Sequence, residues 1–192
     1  MVRDLELFSK RARLNTPASA TDIDEERAPS PDTHSMPPEA STMGVIERVD
    51  MINFMCHRNL SITLGPRINF IIGHNGSGKS AILTAITVTL GGKAQTTSRG
   101  SSLKDFILEG AQAAEVRVRL RNGGSDAYRP DLYGDAINIE RRIHSDGSGS
   151  WKIKNADGKT ISTKREELDA ICDHANIQVD NPMNILSQDA AR

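Results

Sequence analysis

Ile68-Asn69-Phe70-Ile71-Ile72-Gly73-His74-Asn75-Gly76-Ser77-Gly78-Lys79-Ser80-Ala81-Ile82-Leu83 decides the reading of this 192-residue chain. A short, almost wholly apolar run enters a glycine-rich turn. Apolar residues at helical spacing leave it, at Ile82, Leu83, Ile86 and Leu90, and Gly91-Gly92 follows as a stop. The entering run has the composition of a central strand covered on both faces. Residues 73–80 fit G-x-x-x-x-G-K-[ST], the P-loop. A chance match in a chain this long is about one in a hundred, and the strand-before, helix-after context lowers that further.

The residue types state the chemistry. Glycines admit positive φ, so successive N–H groups turn inward toward phosphate oxygens. The helix N-terminus adds positive potential at the same place. Lys79 brings a mobile charge for β- and γ-phosphates, and Ser80 a hydroxyl for Mg²⁺. The candidate nucleotide-binding residues are therefore Gly73, His74, Asn75, Gly76, Ser77, Gly78, Lys79 and Ser80.

Upstream, composition shifts near residue 43. Residues 1–43 hold five of the eight prolines, with eight acidic and five basic residues and few apolar ones. Such a segment does not offset its ordering entropy and is expected to be a disordered tail. Lys10-Arg11-Ala12-Arg13 fits part of a nuclear localisation signal, but so short a run reads first as a solvated charge cluster. The ordered domain is expected over 44–192, mildly basic with 19 basic and 17 acidic residues. Val45–Ile52 and Leu60–Leu64 read as strands.

Downstream, Ser101–Leu108 reads as a short helix. Val116, Val118 and Leu120 then alternate with Arg117, Arg119 and Arg121, and Asn122-Gly123 marks a turn. Ile137, Ile139, Arg141 and Ile143 continue the alternation, and Trp151 and Ile153 share a face of the next strand. Asp157-Gly158 signals another hairpin. Thr163 and Glu166 have capping-box spacing ahead of a helix with Leu168, Ile171 and Cys172 on one stripe, and Ile177–Val179 reads as a last short strand. The three arginines read as the wet side of a sheet rather than as a DNA contact. Cys56-His57 has no second pair at zinc spacing.

Charge, 24 Lys+Arg against 25 Asp+Glu, excludes a uniformly basic nucleic-acid coat. No run approaches the length of a membrane span, the N-terminus has no apolar signal region, and two cysteines make no disulfide framework. A reducing setting and no membrane partner are expected. Hydrolysis needs more than a P-loop: an acidic magnesium ligand and a group that positions water. The nearest runs ending in an acid, Ala136–Glu140 and Ile177–Asp180, are interrupted by polar residues, and no LSGG-like segment occurs. A self-sufficient small P-loop nucleotide kinase or GTPase is the alternative. It requires that acidic site and, for a GTPase, an N-K-x-D segment, and neither is found.

Four blocks carry a resemblance: Asn53–His57; Gly73–Ser80 with Ala81–Leu83; Arg99-Gly100-Ser101-Ser102-Leu103-Lys104-Asp105-Phe106-Ile107; and Asn181–Asp189. In this order they resemble the N-terminal half-head of the structural maintenance of chromosomes (SMC) ATPases, most like the six-type branch of the five/six DNA-repair complex. The resemblance implies an α/β P-loop NTPase of the ABC/SMC head type, N-terminal lobe only, a mixed sheet with the P-loop helix plus an antiparallel β subdomain. It implies ATP and Mg²⁺ as ligands, Lys79 on the phosphates, Ser80 and Gln188 on Mg²⁺, Gln188 as a sensor of the attacking water, and Arg99 approaching the phosphates. It further implies that the C-terminal half of the head, a five-type SMC subunit, a kleisin with other non-SMC elements, and DNA are partners. The setting would be the nucleus and chromosome, in DNA repair and recombination. The signature motif and acidic pair belong to the C-terminal half, with a coiled coil beginning just past Gln188, so catalysis would need both halves and a partner head.

Overall fold

The computed structural model describes residues 42–97, 99–181, 184 and 185. Its elements are β1 (Ile46–Phe54), β2 (His57–Thr63), α1 (Lys79–Thr89), β3 (Ala113–Arg121), α2 (Pro130–Tyr133), β4 (Ala136–His144), β5 (Gly149–Lys154), β6 (Thr160–Ser162) and α3 (Arg165–His174), with 3₁₀ turns at Ala94–Thr97 and Leu103–Phe106. The six strands form one sheet in the order β2-β1-β3-β4-β5-β6, every pairing antiparallel. Thr42 and Gly44 already bond the end of β3, through Gly123 O and Arg121 O.

Period-two patterning makes the sheet two-faced. Val49 and Met51, Val116, Val118 and Leu120, Ile137, Ile139 and Ile143, and Ile153 are buried in one core with Ile82, Ala85 and Val88 of α1 and Leu168 and Ile171 of α3. Each large side chain buried this way contributes about 1.5–3 kcal/mol. On the other face the register lines up Asp50, Arg117, Glu140 and Lys152 across four strands, so the charge sign alternates from strand to strand. Glu47 receives Arg119 and Arg121, and Glu140 receives Lys154 at 2.6 Å. The three arginines are thus the paired wet side of a sheet.

Arg141 is the exception to the pattern. It sits on the apolar face opposite Trp151, 6% exposed, with its guanidinium 3.2 Å above the indole centroid. Trp151 Nε1 donates to Thr89 O at the end of α1, and Arg165 donates to Gly91 O. These donors satisfy carbonyls that a helix C-terminus leaves free.

Several sequence expectations differ from the structure. Ile68–Ile72 forms no strand: Ile68, Phe70 and Ile72 are 82%, 75% and 69% exposed. A strand needs neighbours, and among the described residues nothing pairs with this run or covers it. Ser101–Leu108 is a single 3₁₀ turn, not a longer helix. Asn122-Gly123 closes no tight hairpin. Asn122 is buried and binds Tyr128 N, Tyr128 O and Gly134 O, organising the connection from β3 to β4. The capping box of α3 is not made: Lys164 is the N-cap and provides no side-chain bond. The first turn instead carries Glu166 and Glu167, and Glu167 is held by Tyr133 at 2.7 Å and Arg129 at 3.1 Å. Ile177–Val179 is a connection without strand pairing.

Candidate nucleotide-binding site

The P-loop leads directly into α1. Gly78 is the N-cap, at φ 85°, and Gly76 has φ 81°. Both are left-handed conformations that glycine adopts without Cβ strain. Gly78 also lies against the β1–β2 turn. A Cβ there would stand 2.0 Å from His57 Nε2 and 2.9 Å from Cys56 Sγ. The turn itself is strained, with Asn53 and Met55 at φ 50° and 51°.

Lys79 Nζ donates to Gly73 O at 2.7 Å and His74 O at 2.8 Å, so the ammonium lies across the loop's own mouth. Ser77 N closes the turn on His74 O. Ser77 Oγ is buried and has no partner. The first turn of α1 contains no acidic residue, so no carboxylate there offsets the positive end of the helix dipole. Ser80 is exposed, and its Oγ accepts from Arg99 Nη2 at 3.2 Å.

This donor set fits a magnesium nucleotide: two left-handed glycines, bare helix amides, an orphaned hydroxyl, an ammonium, and a serine oxygen for a hard cation. Lys79, Ser77 and Ser80 would hold the phosphates and the metal, which supplies charge neutralisation there. The structure thus brings together Gly73 to Ser80 and Arg99, nineteen positions beyond Ser80. Gln188 lies outside the described residues. Glu140, at the end of one acid-terminated run, is on the opposite face of the sheet from α1 and is engaged by Arg117, Lys152 and Lys154. Asp180, at the end of the other, lies in a turn 3.5 Å from Thr96 Oγ1. Among the described residues no group of three or more His, Cys, Asp or Glu is placed to hold a metal.

Sequence reasoning missed two supports. His57 and Cys56 pack on Gly78 from 21 residues away, a contact with no local signal. Asp105 anchors the segment that carries Arg99, and its signal was available as Ser102-x-x-Asp105.

Comparison with known proteins agrees with this geometry. A family model described as AAA domain matches residues 48–191. "Structural maintenance of chromosomes protein 6" of Schizosaccharomyces pombe is 53% identical over 150 residues, and the Homo sapiens protein of the same name is 49% identical over 154. These matches cover 78% and 80% of the chain, which spans only 13% and 14% of those proteins. A solved structure described as "Structural biochemistry of ATP-driven dimerization and DNA stimulated activation of SMC ATPases" superposes with TM-score 0.63 at 29% identity, covering 76% of this chain and 87% of that one. The Smc head domain from Pyrococcus furiosus, bound to the C-terminal domain of ScpA, superposes with TM-score 0.61 at 30% identity, covering 72% of this chain and 35% of that one. The chain therefore belongs to the AAA-domain P-loop family and, within it, to the SMC-type heads, as an N-terminal lobe similar to that of the six-type proteins.

Proposed function

We propose that this chain is the ATP-binding lobe of a chromosome-organising SMC head, with Mg²⁺ as its metal. The observation that carries this is the α1 N-terminus, where Gly78, Lys79 and the unpartnered Ser77 hydroxyl converge and Arg99 faces Ser80. Lys79 would exchange its two carbonyl acceptors for phosphate oxygens. Ser80 would turn its hydroxyl from Arg99 to Mg²⁺, which frees the guanidinium for phosphate. Gln188 would complete the metal shell and sense the attacking water.

The exposed run Ile68–Ile72 supports completion of the head by a further segment, the C-terminal half. Its almost wholly apolar side chains suit a strand that gains neighbours and cover on assembly. ATP would then be sandwiched between this head and that of a five-type SMC subunit. A kleisin and other non-SMC elements are further proposed partners, on the precedent of the archaeal head bound to ScpA. DNA as a partner, and a nuclear, chromosomal role in repair and recombination, follow from the likeness to the six-type proteins.

Equilibrium ATP binding with and without the matching C-terminal half tests this. Lys79→Ala should abolish binding in both settings, and turnover should appear only when both halves and a partner head are present. Hydrolysis by the chain alone, lost in Lys79→Ala, would refute the shared-site reading.

A further inference from the structure

We propose that Asp105 is the positioning residue that holds Arg99 over the P-loop, so that a carboxylate outside the loop governs nucleotide affinity through the guanidinium. This deepens, and rests on, the nucleotide site proposed for Gly73–Ser80.

Arg99 is exposed, on a connection between two 3₁₀ turns. Among the described residues its guanidinium reaches the P-loop region through Ser80 Oγ, at 3.2 Å, and a long exposed side chain does not keep one contact unless its backbone is held. The hold is on the next residues. One oxygen of Asp105, Oδ2, accepts from Ser101 N at 2.9 Å, Ser101 Oγ at 3.1 Å and Ser102 N at 2.9 Å. Gln95 Nε2 grips Ser101 O from the other side at 2.9 Å. Gly100 lies so close to the 3₁₀ turn that a Cβ would stand 2.9 Å from Phe106 Cε1 and 3.0 Å from Asp105 Cβ.

The anchor is tied to the P-loop through the core. Phe106 is fully buried with Phe54, ring centroids 5.7 Å apart, and its carbonyl accepts from Met55 N at 2.7 Å. Met55 belongs to the β1–β2 turn whose Cys56 and His57 pack on Gly78. A closed ring results: Gly78, His57, Met55, Phe106, Asp105, Ser101, Arg99 and Ser80. The Met55–Phe106 backbone bond and the Asp105 bonds to the Ser101 and Ser102 amides hold the segment that carries Arg99 beside the P-loop before any nucleotide arrives. The Ser102 amide foremost, opposed by partial desolvation and joined by the Ser101 hydroxyl and amide, holds the Asp105 carboxyl below its ordinary range. It is therefore ionised at neutral pH and accepts from all three donors.

The test is a double-mutant cycle on the 192-residue chain, with ATP and Mg²⁺ as the probe. Asp105→Asn and Arg99→Ala should each weaken ATP binding about fivefold, the worth of one net hydrogen bond. The double variant should bind no more weakly than Arg99→Ala, because both act through one guanidinium. A merely structural Asp105 would add its loss to that of Arg99→Ala. Hydrogen exchange without nucleotide gives a second readout: Asp105→Asn should speed exchange in residues 99–103 and leave α1 and β3 unchanged. Wild-type affinity in Asp105→Asn, multiplying losses in the double variant, or unchanged exchange at 99–103 would overturn the assignment. Full ATP binding by Lys79→Ala would instead overturn the site itself, and the assignment with it.

Discussion

Gly78→Ala is the perturbation that most directly probes how the P-loop is built. Two costs are legible in the structure. The residue sits at φ 85°, where an alanine Cβ crowds its own backbone at about 1–2 kcal/mol. The new Cβ would also fall 2.0 Å from His57 Nε2 and 2.5 Å from Cε1, so the imidazole must leave its place against Gly78. Displacing a packed side chain of this kind costs about 1–3 kcal/mol. Together the chain should lose about 2–5 kcal/mol in urea unfolding, and ATP binding should fall as the Gly78–Lys79 amides turn. His57→Ala removes the nearer obstacle: in that background Gly78→Ala should cost less, the backbone part of about 1–2 kcal/mol and the milder crowding against Cys56 Sγ at 2.9 Å. An equal cost in both backgrounds would show that His57 does not buttress the loop. No cost at all would refute the left-handed N-cap.

Three further outcomes are expected. Glu140→Gln should destabilise the chain near pH 7 by about 1–3 kcal/mol. Burial works to raise the Glu140 carboxyl, but Lys154, with Arg117 and Lys152, lowers it below its ordinary value. That stability is therefore present above the ordinary carboxylate range and lost as pH falls through the lowered value, so the two proteins should converge in acid, and a difference persisting there would count against the ion pairs. Arg141→Met should leave stability unchanged or raise it by about 1 kcal/mol, because a thioether replaces the guanidinium against Trp151 while a buried charge with two unpartnered nitrogens is removed. Burial, aided by Arg165, already pulls that guanidinium down to about 10, and a loss above about 2 kcal/mol would contradict this. Ile68→Ser, Phe70→Ser and Ile72→Ser combined should change the unfolding free energy by less than about 0.5 kcal/mol while reducing self-association, since these side chains face solvent. A large destabilisation would mean they are packed.

Much of the local structure was legible because it depends on short-range periodicity. Val116, Val118 and Leu120 against Arg117, Arg119 and Arg121 place β3 and its two faces without reference to any neighbour. The spacing from Gly73 to Ser80, followed by Ile82, Ile86 and Leu90, places the P-loop and α1 for the same reason. Gln188, for which a sensor role is proposed, lies outside the described residues.

What the residues by themselves determined is the phosphate-binding loop, the helix behind it and the alternating strands, because each is specified by contacts within a few positions along the chain. Tertiary structure alone decided three other things. It left Ile68–Ile72 unpaired, since an apolar run becomes a central strand only where neighbours supply hydrogen bonds and cover. It set Glu140 opposite Arg117 and Lys152, since pairing register and not composition decides which charges meet across neighbouring strands. And it closed the ring from Gly78 through His57 and Phe106 to Asp105, Arg99 and Ser80, whose links span up to 51 positions between Met55 and Phe106 and arise only when β1, α1 and the 3₁₀ turn share one core.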